Sequence, residues 1–524
     1  MNNLSKIFPV CRSLLGIKVW KRIVEGNDVT PAGFPDFLEH HGEPGIPPFS
    51  PWLARIELSR HNADAAEIIP SATSSVSLNP TLNIIAVPWT NLLPLLTRAK
   101  KRDLDKVAPG NEVIITWRKP DKGALVTRVA EPGDLLAIKL LAEGIDPLDA
   151  AREAAVPAGV VDAAMREAVW KGLALSPPSM LRREKEIAVS SPGDDYSAAG
   201  VFSLQWHLTQ ECDLHCRHCY DRSTRRAFPF DRALTLLDEL RAFCLSRFVR
   251  GQVSLSGGNP LLYPSFMDIY RAAAERDFMI AILGNATDRA TIEQLVGVRM
   301  PVYYQVSLEG LEQHNDEIRG AGNYRRTVDF LRTLTEMGVP NMVMLTLTRH
   351  NLDQVIPLAE ELEGITGGFT FNRLALFGEG AGLELPTPDE YREFLEAYAT
   401  ALKSHPVLRL KDSLLNTIFE RDNNGLFGGC AGYGCGAAFN FVSILSDGEV
   451  HACRKFPSPI GNILCDSLED VYASAAARRY RTGSSACDGC TLNAVCRGCP
   501  AVTASLGLDP FTDRDPYCFR VAST

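Results

Sequence analysis

No apolar run reaches the roughly 18 residues that a membrane-spanning helix needs, so no membrane partner is expected. The N-terminus also lacks an uninterrupted apolar core of the kind a secretory signal carries. Lys18, Lys21 and Arg22 break up the one candidate. Positive charge is not in excess. Lys and Arg number 54 against 63 Asp and Glu, and the net charge of −9 gives no general attraction to nucleic acid. Internal repeats and low-complexity tracts are missing. Cysteine is nearly missing from residues 1–178, which hold only Cys11. What remains is a chain of 524 residues, 45% hydrophobic and 22% charged, ordinary for a globular protein and long enough for about three domains.

The cysteines that are present are concentrated. Of 14, nine lie in residues 410–524 and three stand together in Glu211-Cys212-Asp213-Leu214-His215-Cys216-Arg217-His218-Cys219-Tyr220. A chain with 14 cysteines would show this C-x3-C-x2-C spacing by chance roughly 0.01 times. The even count admits a disulfide framework. The size of the chain and the ligand-like spacings point instead to iron–sulfur or zinc chemistry. Three thiolates supply one fewer than the four that an Fe–S cluster takes, which leaves one iron open. Open metal positions are where chemistry happens. Downstream, Cys430, Cys435, Cys453, Cys487, Cys490, Cys496, Cys499 and Cys518 suffice for two clusters of four thiolates. Two structural zincs suit the paired C-x2-C units as well. Cys11, Cys244 and Cys465 are left over and read as buried small side chains.

Apolar runs fall near 201–207, 252–256, 279–284, 302–307, 342–348 and 369–375, with stretches of helical period between them. Six strand–helix units in series predict an α/β domain with a parallel sheet, too short for an eight-unit barrel and open rather than closed. The cysteine triplet directly follows the first strand. Further Gly-, Asn- and Ser-containing segments end the later ones. Residues 176–195 are rich in Pro, Ser, Gly and charge and read as a linker. Before them, Val113–Trp117 and Ala124–Val129 read as a hairpin, followed by helices over Leu135–Leu141, Ile145–Ala155 and Gly159–Gly172. Strands followed by three short helices predict a winged-helix-like domain. Its third helix is not notably basic, so DNA readout is not expected.

The triplet followed by Tyr220 resembles the signature of radical S-adenosylmethionine (SAM) enzymes. The C-terminal cysteines resemble the SPASM extension of the peptide-modifying members. This resemblance implies a partial (β/α)6 barrel over 201–385 and a bridging helix with a cysteine-rich SPASM domain over 386–524. The remainder divides into an unassigned extension over 1–82, the winged-helix-like domain over 83–178 and a linker over 179–200. It implies that Cys212, Cys216 and Cys219 bind the cluster that takes SAM. In that family the cluster's electron cleaves SAM to a 5′-deoxyadenosyl radical, which abstracts hydrogen. Ser256-Gly257-Gly258-Asn259-Pro260 resembles the family's GGEP segment, with Asn259 in place of the usual Glu. Asn285, and Ser307 and Glu309 of Ser307-Leu308-Glu309-Gly310, match segments near SAM, and Arg319 reads either as a bidentate partner of its carboxylate or as an exposed helix-end arginine. Phe377-Gly378-Glu379-Gly380 resembles a Gly-rich end near the adenosine. The interleaved pattern of the family would pair Cys430, Cys435, Cys453 and Cys499 in one auxiliary 4Fe–4S cluster and Cys487, Cys490, Cys496 and Cys518 in the other. The Cys430–Cys435 interval and the two residues between Cys496 and Cys499 are shorter than is usual there.

The winged-helix-like domain is similar in pattern to the peptide-recognition elements of ribosomal-peptide modifying systems. The implied function is modification of a ribosomally made precursor peptide, at or near cysteine residues, after docking of its leader near 113–175. Implied partners are that peptide and an electron donor such as flavodoxin or ferredoxin, in a reducing cytoplasm. A sulfatase-type maturase oxidising Cys or Ser, and a non-catalytic iron–sulfur or zinc scaffold that binds peptides, are the alternatives.

Overall fold

The computed structural model describes residues 4–40, 46–66, 73–97, 101–120, 123–183 and 196–520. The chain forms two compact units, Met1–Pro178 and Ser179–Thr524. The linker expected over 179–200 lies mostly outside the described residues.

In the first unit, β2 (Asn83–Thr90), β3 (Ala108–Arg118) and β4 (Leu125–Val129) form an antiparallel sheet in that order. A two-stranded ribbon of β1 (Ser77–Leu78) and β5 (Ala174–Leu175) completes it. Successive side chains of a strand point to opposite faces. Ile114 accordingly joins a core with Phe8, Phe34, Leu53 and Ile56 from the helices of residues 4–64. Ile115 and Trp117 face the other way, against Ala137, Ile138 and Ala168 of helices Pro132–Glu143 and Ala158–Lys171. A strand covered on both faces needs no polar alternation, and residues 113–117 read as one apolar run for that reason. The helices of residues 1–82 thus share a core with the sheet. The strand β2 was hidden in the sequence by Pro88. It is an edge strand, and its register shifts between Val87 and Trp89, where a proline is tolerated.

The second unit is built on a nine-stranded sheet. Its parallel part runs β6 (Val201–Thr209), β7 (Arg250–Gly257), β8 (Met279–Leu283), β9 (Tyr303–Ser307), β10 (Asn341–Leu347) and β11 (Phe369–Arg373), each pairing with the next in chain order. The helices between them bury one stripe. Asn323–Glu336, for example, buries Tyr324, Thr327, Val328, Leu331 and Leu334 at helical spacing. The six strand–helix units are those the apolar runs predict. On the far side of β6 the sheet continues through β12 (Phe441–Ile444), parallel to β6, and the antiparallel β13 (Glu449–His451) and β14 (Pro459–Asn462). The cysteine-rich segment therefore hangs on the same sheet as the barrel.

A buried ionic cluster ties the two parts together. Arg373, at the end of β11, donates to Asp412 Oδ2 at 2.8 Å and to both oxygens of Asp515 at 3.0 and 2.8 Å. Asp515 Oδ2 also accepts the backbone N–H of Cys499 at 2.7 Å. Removing one member of a buried ionic group leaves uncompensated charge. Arg373→Ala is expected to lower stability by about 3–5 kcal/mol in a denaturant titration.

Candidate functional site

The cysteine triplet lies on the loop that leaves β6, at the C-terminal end of the parallel strands. Backbone bonds fix this loop. Gly258 N–H donates to Thr209 O at 2.8 Å and Asn259 N–H to Glu211 O at 2.7 Å. A Cβ on Gly258 would fall 2.2 Å from Glu211 O, and one on Gly257, at φ +153°, 2.4 Å from Thr209 O. Both glycines are required by this backbone contact. Gly378 makes a like contact on the other flank. A Cβ there would meet Tyr220 O at 2.3 Å, and the next residue, Glu379, donates its N–H to Cys219 O at 2.9 Å.

Two carboxylates hold the loop from either end. Asp213 Oδ1 accepts Asn285 Nδ2 at 2.6 Å and Asn259 Nδ2 at 2.9 Å, and its Oδ2 accepts Arg326 Nη2 at 2.8 Å. Asn285 Nδ2 also lies 3.6 Å from Cys212 Sγ. Burial alone would raise the Asp213 carboxyl, but the bonds from Asn285, Arg326 and Asn259 bring it below the usual carboxylate value. A glutamate at 259 would set a second carboxylate against Asp213, which accounts for the amide in this chain. The second carboxylate is Glu309, 1% exposed. Its Oε1 accepts Arg319 Nε at 2.8 Å, Arg319 Nη2 at 2.6 Å and His218 Nε2 at 2.9 Å, and its Oε2 accepts the Thr346 N–H at 2.8 Å. Arg319 Nη1 reaches 3.6 Å from Cys216 Sγ. The structure thus brings Gly257, Gly258, Asn259, Asn285, Glu309 and Arg319 to the thiol loop. Pro260 is buried at the start of the turn that follows Asn259, and Ser307 ends β9 opposite Met344.

Burial raises the Cys216 thiol. Arg319 opposes this, and Glu309, Cys212 and Cys219 add to it, so the three sulfurs feel one another. Cys11 and Cys244 are buried as expected, Cys465 is instead exposed, and burial and neighbouring thiols act on the auxiliary cysteines as well. Burial lifts Cys435 to about 11, with Cys430 and Cys499 adding to it. It lifts Cys453 to about 12, with Cys435 and Cys499 contributing. Cys487 reaches about 11 through burial, Cys490 and Cys518, and buried Cys496 has Cys518 as a neighbour. Among the described residues no three such side chains converge as a single ion requires. A four-iron cube takes each thiolate on a separate iron, and a donor set of three, four and four thiols fits that group.

Three contributors escape sequence reasoning. Asp213 and His218 stand inside the cysteine motif, where the thiols draw attention away from them. Arg326 lies 113 residues from its partner Asp213 and has no local signal.

The Glu309 network makes a pH prediction. Burial would raise its pKa, but the His218 and Arg319 charges and the bonds from His218 and Thr346 lower it from 4.5 to about 2. A depressed carboxylate stabilises the fold fully above about pH 4.5, and that contribution is lost as pH falls towards about 2. Stability measured against pH should show this loss, and Glu309→Gln should flatten it while lowering neutral-pH stability by about 3–5 kcal/mol.

Comparison with known proteins agrees with this geometry. The family model described as the radical SAM superfamily matches residues 206–362, and the SPASM iron–sulfur cluster-binding domain matches 435–500. The antilisterial bacteriocin subtilosin biosynthesis protein AlbA of Bacillus subtilis is 24% identical over 328 residues, 58% of this chain and 69% of AlbA. The AdoMet-dependent heme synthase of Methanosarcina barkeri is 25% identical over 348 residues, 60% of this chain and 95% of that protein. The fold is like that of Streptococcus suis SuiB crystallised with its precursor peptide SuiA. The TM-score is 0.50 at 16% identity, over 78% of this chain and 97% of SuiB. With the triplet at the end of β6, the six-stranded parallel half-barrel and a cysteine-rich extension on the same sheet, residues 206–362 form a radical SAM domain and residues 435–500 a SPASM iron–sulfur cluster-binding domain.

Proposed function

We propose that this protein is a radical SAM maturase that modifies a ribosomally made precursor peptide. The observation that carries the reading is the three-thiol loop after β6, clamped by Asp213 and Glu309. Cys212, Cys216 and Cys219 would hold a 4Fe–4S cluster with one iron left for SAM. That cluster, with SAM bound, supplies the 5′-deoxyadenosyl radical that abstracts hydrogen. Gly257, Gly258, Asn259, Pro260, Asn285, Ser307 and Arg319 would hold SAM. Glu309, whose oxygens are both taken, would act through Arg319. Cys430, Cys435, Cys453 and Cys499 would bind one auxiliary cluster, and Cys487, Cys490, Cys496 and Cys518 the other, the division that the electrostatic neighbours support.

The peptide half of the reading rests on the first unit, which lies outside both family matches. Strand β4 has one sheet neighbour, β3, among the described residues, and the helix Ala158–Lys171 belongs to the same unit. An edge strand binds an extended peptide through backbone hydrogen bonds. A leader held near 113–175 would raise the effective concentration of the core peptide at the radical site. The names of AlbA and of the SuiB complex with SuiA support a peptide substrate. The likeness to a heme synthase favours a second reading, a step of heme synthesis. A flavodoxin or ferredoxin in the cytoplasm would supply the electron.

Anaerobic reconstitution with iron, sulfide, dithionite and SAM tests both parts. The protein is expected to bind about 12 irons per chain and to form 5′-deoxyadenosine, with a mass change in a precursor peptide encoded beside it. Replacing Cys212, Cys216 and Cys219 by Ala should leave about eight irons and abolish 5′-deoxyadenosine. An intact cluster set that never cleaves SAM would defeat the enzyme reading. Turnover of a heme precursor instead of any peptide would favour the second.

A further inference from the structure

Each of the three thiol sets meets one cationic side chain. Arg319 Nη1 lies 3.6 Å from Cys216 Sγ, Arg520 Nη1 3.5 Å from Cys490 Sγ, and Lys455 Nζ 3.9 Å from Cys499 Sγ. The first two cations are already neutralised. Arg319 pairs with Glu309 at 2.6 Å and Arg520 with Glu420 at 3.2 Å. Lys455 differs. It is half-buried, and no carboxylate pairs with it among the described residues. Its titratable neighbours are Cys499, Tyr220 and Cys453, with Arg373 on the repelling side. An ammonium withdrawn from water without a counter-charge costs several kcal/mol. Thiolates bearing an anionic cluster would remove that cost, whereas neutral thiols would not.

We propose that Lys455 is the charge partner of the cluster site formed by Cys430, Cys435, Cys453 and Cys499 and raises the reduction potential of that site. This rests on the ligand sets proposed above. Reduction adds negative charge to a cluster, so a nearby uncompensated cation and an N–H···S contact favour the reduced form and raise the potential. The Cys487–Cys490–Cys496–Cys518 site takes its N–H···S contact from the neutralised Arg520, with Arg497 and Arg514 also acting on Cys487. Position agrees with a role as electron acceptor. Tyr220, next to Cys219, packs in one apolar cluster with Cys453 and Cys499. The site that Lys455 faces is therefore also the one that adjoins the loop of Cys212, Cys216 and Cys219.

The test is a potentiometric titration followed by electron paramagnetic resonance. It uses the full chain with Cys212, Cys216 and Cys219 replaced by Ala, so that only auxiliary signals remain. About eight irons per chain in this background establish the ligand sets, and fewer would overturn those sets before Lys455 is touched. Lys455→Met is then expected to shift the oxidised-to-reduced ratio of one auxiliary site at least tenfold, about 59 mV to the negative for one electron. The other midpoint should stay, and Lys455→Arg should restore the first. Loss of about four irons in Lys455→Met that Lys455→Arg prevents would also support the charge-partner role. With eight irons present, two unmoved midpoints in Lys455→Met, or an equal shift of both, overturns the proposal.

Discussion

Glu309 places a negative charge where the fold leaves almost no water to solvate it, and the groups that satisfy that charge organise the thiol loop. Arg319 must approach with two nitrogens, His218 must turn Nε2 inward, and the backbone of β10 must present Thr346 N–H. Since His218 lies between Cys216 and Cys219, and Arg319 reaches Cys216, one buried carboxylate settles where these thiols sit. Burying a charge is expensive unless every lone pair is met. That expense is also what makes the arrangement specific: a loop displaced from this position would strand the charge.

Asp213 does the same at the other end of the triplet with less burial and more amide. Its partners Asn259 and Asn285 end β7 and β8, so the loop after β6 is read against the two strands beside it. Opposite lies the cysteine-rich extension, joined to β6 through β12 and to β11 through the Arg373–Asp412–Asp515 cluster. The thiol loop thus sits between two elements of one continuous sheet. The spacing of its sulfurs from the auxiliary thiols is inherited from strand registers rather than from flexible connections.

The six parallel strands of the second unit were legible as short apolar runs separated by stretches of helical period, whereas β12, β13 and β14 were not among those runs. The helices of residues 132–171 were legible for the complementary reason, a 3.6-residue period. Strand β2 was not, because Pro88 is a poor strand residue except at an edge or bulge, and only the sheet shows that it occupies both. Asn259 read as a weakened SAM contact. Its amide is required by Asp213, a partner 46 residues away that no local pattern announces.

Thiol chemistry and short-range spacing were thus determined by the sequence alone, since three cysteines within eight residues need no distant information to converge on one cluster. So was the six-unit α/β order, because apolar runs and periods are local. The tertiary structure decided that residues 4–64 and the sheet share one core, and which cations near the sulfurs are already neutralised. These depend on charges and side chains brought together across tens to hundreds of residues. Burial makes such encounters strong, and no linear pattern records them.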